Sequence, residues 1–359
     1  MRKHIWLSTL VFALLAAVIS LPALSSESFT LRQAVLPQAD LLVGGDSTGL
    51  TKDHFLYKLM LDNQKNILGE DSKGILECFD SAADSSCKWL SSVRLKENAN
   101  FDDPGPEDVD FAMVFLNSVP MGDKIEKEIA GLRKLLAMAT TGEAGAKDEF
   151  KAASNPLQGL KAWDFSLACD ELSGKATMVL SKDEKSAMFS RREMLPGLMN
   201  AVGGDPAVER VMAAAPSGAG FYLAFLLKEK SRQLIQPLFE SAAPGVDVNK
   251  IDSFMLSMTV NPANVVLSLR IGAGDDATAT ALEQLIAAFV PMAQGLASGD
   301  ERLACIKSLV CKANGSAVVI SVTITEPQFR QLLDYIIEMN SDTADEAPEE
   351  AVPAAPAAP

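Results

Sequence analysis

Residues 45–49 carry the residue types of a serine nucleophile. Their sequence, Gly-Asp-Ser-Thr-Gly, matches the G-x-S-x-G pattern, in which a serine stands on a sharp turn between a strand and a helix. Ser47 would be the nucleophile, and His54 is the one histidine near it that could serve as its base. A turn that ends a strand and caps a helix uses the same residue types without any catalysis. The sequence leaves both interpretations open.

Leu41, Leu42 and Val43 precede this motif and predict a buried strand that ends at Gly44. Together with the motif they resemble the first block of the GDS-type lipases and esterases, in which the serine of a Gly-Asp-Ser block near the mature N-terminus is the nucleophile. The resemblance implies that role for Ser47. That family takes its base histidine from a late Asp-x-x-His block and its oxyanion hole from a Gly-x-Asn-Asp block, and this sequence contains neither block.

A second group of residues has the chemistry of a calcium site. Asn100, Asp102, Asp103 and Asp108 concentrate the oxygen ligands that a hard cation such as Ca²⁺ prefers. Their spacing departs from the twelve-residue calcium loop, because Asp103 stands where that loop requires glycine. Acidic turn residues before a strand are also common without a metal. We therefore expect no cofactor, with a calcium-stabilised protein as an alternative.

Five cysteines fall into two close pairs and one single residue. Cys78 lies near Cys87, and Cys305 lies near Cys311, so an oxidising compartment would favour two local disulfides. Cys169 lies in an alternating, strand-like segment and is predicted to be a buried thiol. A zinc site is not expected, because the sequence has no C-x-x-C and almost no histidine to complete the ligand set.

Residues 1–25 have the pattern of a cleavable export signal. Arg2 and Lys3 give a positive start, an apolar run follows over residues 5–21, Pro22 breaks the helix, and small residues precede a cleavage site after Ser25. An uncleaved signal anchor is the alternative, since the apolar run approaches the roughly 20 residues that span a bilayer. We expect an exported protein of the periplasm or the extracellular space.

The chain carries a formal net charge of −15. An acidic protein without a basic run repels phosphate backbones, so nucleic-acid binding is not expected. The sequence also lacks G-x-x-x-x-G-K-[ST] and H-E-x-x-H, the patterns of a phosphate-binding loop and of a zinc protease. The most apolar segment after the signal, residues 277–296, contains Glu283, Gln284 and Pro291. It predicts a buried amphipathic helix, so no integral membrane segment is expected after signal cleavage.

Hydrophobic periodicity and turn residues predict an α+β fold. We expect two related units of β-α-β-β-α-β type with mixed or antiparallel sheets, the first over residues 26–204 with a cysteine-bearing insertion and the second over residues 205–340. The repeat rests on two hairpins, at residues 164–180 and 253–271, each followed by a helix. Residues 341–359 are acidic and rich in alanine and proline, which predicts a disordered tail.

The individual elements follow from the same patterns. Further strands are predicted at residues 39–43, 109–116, 220–227 and 317–324, helices at residues 124–138, 183–202, 228–242, 275–297 and 326–339, a helix that begins near Thr51, a surface loop at residues 141–154 and a tight hairpin at Asn314-Gly315.

Residue types suited to catalysis are scarce in this sequence. We therefore expect a non-catalytic binding or interaction module whose partner is an envelope or extracellular protein or ligand. A hydrolase centred on Ser47 and a calcium-stabilised envelope protein are the two alternatives.

Overall fold

A computed structural model describes residues 28–62, 87–96, 108–122, 151–167, 174–201, 205–216, 218–229, 231–233, 236–237 and 246–345. Within these ranges twelve strands form one sheet in which every adjacent pair is antiparallel. The strands are β1 (Leu41–Asp46), β2 (Cys87–Leu95), β3 (Val109–Asn117), β4 (Lys151–Ser154), β5 (Ala162–Leu167), β6 (Gly174–Leu180), β7 (Ser186–Ser190), β8 (Ala219–Leu226), β9 (Ile251–Asn261), β10 (Asn264–Ala273), β11 (Val310–Ala313) and β12 (Ala317–Thr325). Their order across the sheet is β11-β12-β10-β9-β8-β1-β2-β3-β7-β6-β5-β4.

Helices accompany this sheet, so the predicted mixed α+β class is confirmed. The α-helices are α1 (Phe55–Asp62), α2 (Leu195–Met199), α3 (Pro206–Ala214), α4 (Asp276–Leu296) and α5 (Glu326–Asp345), and short 3-10 segments lie at Leu31–Ala34, Ser47–Gly49, Val248–Lys250, Ala297–Gly299 and Glu301–Ser308. The described residues between positions 229 and 237 are helical too. None of the helices in the described ranges combines the length and the apolar composition that a bilayer crossing requires.

Near the centre of the sheet β1 and β8 form an antiparallel pair, in which Leu42 lies opposite Ala224. The sheet is therefore continuous across the predicted boundary between the two units. On one side of this pair the order is β1-β2-β3-β7, and on the other it is β8-β9-β10-β12. The two hairpins on which the predicted repeat rests occupy different places, because β9 and β10 are next to the centre and β5 and β6 are near the far edge. The repeat stays a prediction.

Two segments differ from their predicted structure. Residues 183–202 were expected to form a helix that Pro196 kinks or splits, but residues 186–190 form β7, which is inserted between β3 and β6 and is buried along most of its length. The helix is confined to α2, where Pro196 stands in the first turn because its missing N–H is not needed there. Residues 151–154, expected in a loop, form the edge strand β4.

Other strands and helices lie where the patterns predicted them. The hairpins β5–β6, β9–β10 and β11–β12, together with α4 and α5, match the expected positions, and α5 extends to Asp345, beyond the start of the predicted tail. Strand β2 and helix α3 were not predicted. The predicted helix at residues 124–138 lies outside the described residues.

The two faces of the sheet are covered by different elements. On one face an apolar cluster contains Met255 of β9 and is covered by residues 31–34, α2 and α3. On the opposite face, which we call the helix face, α4 packs near Phe254, while α1 and α5 pack near Val260. Phe254 and Val260 are an even number of positions apart on β9, so their side chains point to the same side. The helix face therefore holds α1, α4 and α5.

The chain enters the core shortly after the predicted cleavage site. Phe29 and Leu36 are buried in the cluster opposite the helix face. The Ser92 hydroxyl accepts a hydrogen bond from the Leu36 N–H at 3.0 Å and donates one to the Ala34 carbonyl, while the Ser186 hydroxyl accepts one from the Phe29 N–H at 2.7 Å. These two serines fix the N-terminal segment to the sheet.

Candidate interaction surface

The predicted nucleophile Ser47 lies in a capped turn at the end of β1. The Asp46 carboxylate accepts a hydrogen bond from the Thr48 N–H at 2.9 Å and pairs with the Lys88 ammonium at 3.2 Å. Burial raises the pKa of Asp46, but the hydrogen bonds from Thr48 and the charge of Lys88 outweigh it and leave that pKa below its ordinary value. The Ser47 hydroxyl accepts a hydrogen bond from the Cys87 N–H at 2.9 Å, which ties the turn to β2.

His54 is buried at the start of α1 and is engaged through both ring nitrogens. Its Nδ1 accepts a hydrogen bond from the Leu56 N–H at 3.2 Å, and its Nε2 lies 2.8 Å from the carbonyl oxygen of Asn261. An amide can only donate and a carbonyl can only accept, so these two contacts fit the tautomer that carries its proton on Nε2. The imidazole thus caps α1 and joins it to the β9–β10 turn. The structure directs Ser47 towards β2 and His54 towards β9–β10, and it does not pair them.

The calcium residues are described only in part. Asn100, Asp102 and Asp103 lie outside the described residues, and the Asp108 carbonyl accepts a hydrogen bond from the Lys96 N–H at 2.8 Å. Within the described ranges, no group of three or more histidine, cysteine, aspartate or glutamate side chains is arranged to hold a metal ion. Calcium binding stays a prediction.

The described cysteines are buried or half-buried. Cys87 lies on β2 in an apolar cluster with Trp89, while Cys78 and Cys169 lie outside the described residues. Cys305 and Cys311 are both thiols in the structure, the first buried and the second half-buried on β11. Burial raises the pKa of the Cys311 thiol, and the nearby Glu283 carboxylate adds to the effect. The two predicted disulfides remain predictions.

A polar side chain that the sequence did not single out is buried beside Cys87. Asn117, the last residue of β3, lies directly opposite Cys87 in the antiparallel pair and is fully buried. Its main-chain N–H donates to the Lys185 carbonyl at 2.7 Å, but within the described part of the chain neither side-chain amide atom has a hydrogen-bond partner. An unsatisfied buried amide costs stability, and no sequence pattern distinguishes it from an asparagine in a turn.

Helix α4 carries large apolar side chains in contact with solvent. Thr278, Ala279 and Leu282 in its first half are buried, whereas Phe289, Met292 and Leu296 in its second half are 54%, 60% and 74% exposed. The predicted burial of this helix is therefore wrong for its second half. The helix has apolar residues around most of its circumference but packs mainly against β11 at the edge of the sheet, so only one side is covered.

The three exposed residues and the half-buried Leu285 form a regular stripe. Leu285, Phe289, Met292 and Leu296 follow one another at intervals of four, three and four residues, which brings them to one side of the helix. We call these four residues the α4 seam. Gln294 points away from the seam, and its amide nitrogen donates to the carbonyl oxygens of Lys307 and Leu309, each at 3.2 Å. The second half of α4 is thereby fixed to the segment before β11.

The helix face of the sheet is also open at one point. Leu256 of β9 is 46% exposed and lies between Leu223 of β8 and Leu269 of β10, which are half-buried. Because Leu256 and Phe254 are two positions apart on β9, this open row is on the same face as α4. The row and the α4 seam together make up the candidate interaction surface.

The α4 seam lies in a segment without ionisable side chains. No acidic or basic residue occurs between Glu283 and Asp300. Asp300 is in turn engaged by the Arg302 guanidinium, with nitrogen–oxygen distances of 2.8–3.1 Å. An uncharged apolar surface in a chain of net charge −15 is the local exception to its acidic character. The absence of charge from this segment was a visible signal of the surface, although burial could have explained it equally well.

No known protein family matches the sequence, and no curated protein matches it. Among solved structures, the chain is similar to three crystal forms of TP0453. Crystal form III gives a TM-score of 0.42 at 11% identity over 85% of this chain and 97% of that one. Crystal form IV gives 0.39 at 12% identity over 85% and 97%, and crystal form I gives 0.39 at 12% identity over 87% and 98%. Similarity at this level assigns no function.

Proposed function

We propose that this chain is an exported, non-catalytic interaction protein and that the α4 seam is its contact surface. The observation that carries the proposal is the exposure of Phe289, Met292 and Leu296 on a helix that is otherwise anchored to the sheet. Large apolar side chains grouped on one exposed surface are typical of binding sites, whereas single exposed ones are ordinary. The bonding of both His54 nitrogens favours this function over ester hydrolysis.

The contact surface is tested by pull-down with the tagged mature chain, residues 26–359, from an envelope extract. We expect the variant Phe289→Ser with Met292→Ser to lose a partner that the unmodified chain retains. Gln284→Ala is the matched control, because Gln284 is exposed on the same helix but lies outside the seam. Equal recovery of every partner by the seam variant and by the unmodified chain would refute the role of α4.

Export is tested separately, by sequencing the N-terminus of the protein recovered from the cell envelope or the medium. A first residue of Ser26 supports the proposed signal cleavage, whereas retention of residues 1–25 in the recovered protein would contradict it. Cleavage there leaves three residues ahead of Phe29, the first buried apolar residue of the described chain.

A further inference from the structure

The spacing of the α4 seam is that of a helix which packs against another helix. Apolar residues at alternating intervals of three and four form the seam through which two helices contact each other. Ala288 and Gly295 border the seam and are exposed, and a Cβ atom on Gly295 would have no neighbour within 4 Å. Small residues beside large ones allow a second helix to approach closely and to receive the large side chains between them.

We propose that the helix which packs on the α4 seam is α4 of a second copy of this chain. The inference rests on the proposed function, because it names the partner of the same surface. In a two-fold symmetric antiparallel pair, Leu285 of one copy faces Leu296 of the other, and Phe289 faces Met292. The four seam residues of one copy thus contact the same four residues of the other copy, so both copies use the same surface at the interface.

The charge distribution supports a second copy as the partner. Each chain has a net charge of −15, so two copies repel each other over most of their surfaces. The segment between Glu283 and Asp300 is free of ionisable side chains, and contact there brings no like charges together. Salt shortens the range of the remaining repulsion, from about 10 Å at 0.1 M to about 3 Å at 1 M. The dimer should therefore be tighter at high salt.

Sedimentation velocity of the purified mature chain, over a range of concentrations and at low and high salt, tests this proposal. We expect a monomer–dimer equilibrium that shifts towards the dimer as salt rises. Met292→Lys and Met292→Glu should each weaken the dimer by at least about tenfold, equivalent to 1.4 kcal/mol. Residue 292 of one copy lies close to residue 292 of the other, on either side of the symmetry axis. A mixture of the lysine and glutamate variants should therefore restore association at low salt.

Gln284→Lys and Gln284→Glu are the controls, since they make the same charge changes on the same helix outside the seam. A monomer at every concentration and salt level overturns the proposal, as does a dimer that the Met292 variants leave unchanged. If the chain is monomeric but Phe289→Ser with Met292→Ser still loses a partner in the pull-down, the proposed function stands and the second copy is not the partner. Seam-dependent binding of anilinonaphthalene sulfonate by a monomer would indicate an apolar ligand instead.

Discussion

The ring of Tyr222 lies over the main chain of Gly44, its partner across the β1–β8 pair. A Cβ atom built on Gly44 would lie 2.4 Å from the ring Cζ and hydroxyl oxygen of Tyr222. Gly45 is confined in the same way, because its Cβ would lie 2.4 Å from the Gly220 carbonyl oxygen. Glycine here does not end the strand, as its usual turn preference suggests. It lets β1 continue where Tyr222 and the Gly220 carbonyl approach its main chain closely.

Gly44→Ala should destabilise the protein by about 1–3 kcal/mol, because the added methyl group displaces the Tyr222 ring from its packed position. Tyr222→Ala in the same chain should relieve the clash, so the double variant should be more stable than the sum of the two single changes predicts. Denaturant unfolding of the four proteins measures this coupling. Strictly additive losses would show that the ring and the glycine do not constrain each other.

Tyr222 should also make the protein sensitive to alkali. Burial raises the pKa of Tyr222 to about 12, above the ordinary value of 10.0. The unfolded chain therefore releases the phenolic proton at a lower pH than the folded chain does. The stability from the neutral phenol is present below about pH 10 and is lost between about pH 10 and 12, by about 3 kcal/mol in total. Denaturant midpoints across this range should fall less steeply for Tyr222→Phe than for the unmodified protein.

Asn117→Leu should stabilise the protein by about 1–2 kcal/mol. Leucine has the same branching as asparagine and removes two buried polar atoms that have no hydrogen-bond partners within the described structure. Asn117→Ala is the control, because it removes the same polar atoms but leaves a cavity and should gain less or lose stability. Unfolding in urea compares the three proteins. A loss on Asn117→Leu larger than the loss on Asn117→Ala would show that the amide is satisfied in solution.

His54→Ala should destabilise the protein by about 1–3 kcal/mol, because the Leu56 N–H and the Asn261 carbonyl lose their partner. Lys58→Ala, on the exposed side of the same helix, is the control and should change stability by less than about 0.5 kcal/mol. Thermal unfolding distinguishes the two variants.

Parallel assays with a p-nitrophenyl ester should show no hydrolysis that depends on Ser47 or His54, and a loss of turnover in both Ser47→Ala and His54→Ala would establish the hydrolase.

Ser92→Ala should destabilise the protein by about 1–3 kcal/mol, since the Leu36 N–H and the Ala34 carbonyl would be left buried without a partner. Ser118→Ala, at an exposed position after β3, is the matched control and should be close to neutral. Limited proteolysis of the folded proteins should show earlier cleavage near residues 28–40 in the Ser92 variant. An unchanged cleavage pattern would mean that the apolar contacts of Phe29 and Leu36 suffice to hold the segment.

Local signals predicted much of the fold. Asn314-Gly315 predicted the last hairpin, where Gly315 has a φ of +57°, and Asp275 predicted the start of α4, where its carboxylate accepts a hydrogen bond from the Thr278 N–H. Residues 186–190 were misassigned because a short segment buried on both faces shows no alternation of apolar and polar residues. Pairing across the sheet decides its structure, and pairing is not visible in local sequence.

The candidate site was harder to predict for the same reason. Ser47 and His54 are near each other in sequence, but each hydrogen bonds to a different part of the sheet. The α4 seam has the composition of a buried helix, and its exposure depends on which strands lie beneath the helix. The sequence shows which residues of α4 are apolar, whereas their exposure depends on how many other helices and strands pack around α4.

The pairing of β1 with β8 has a consequence for the order of folding. Leu42 and Ala224 are separated by about half the chain, so the central ladder closes only after a long loop has been brought together. Until β8 arrives, β1 has an unpaired edge that can associate with other chains. Contacts this distant in sequence slow folding and prolong the lifetime of the incomplete state. A chain with this topology would need protection from aggregation until residues near 226 are available.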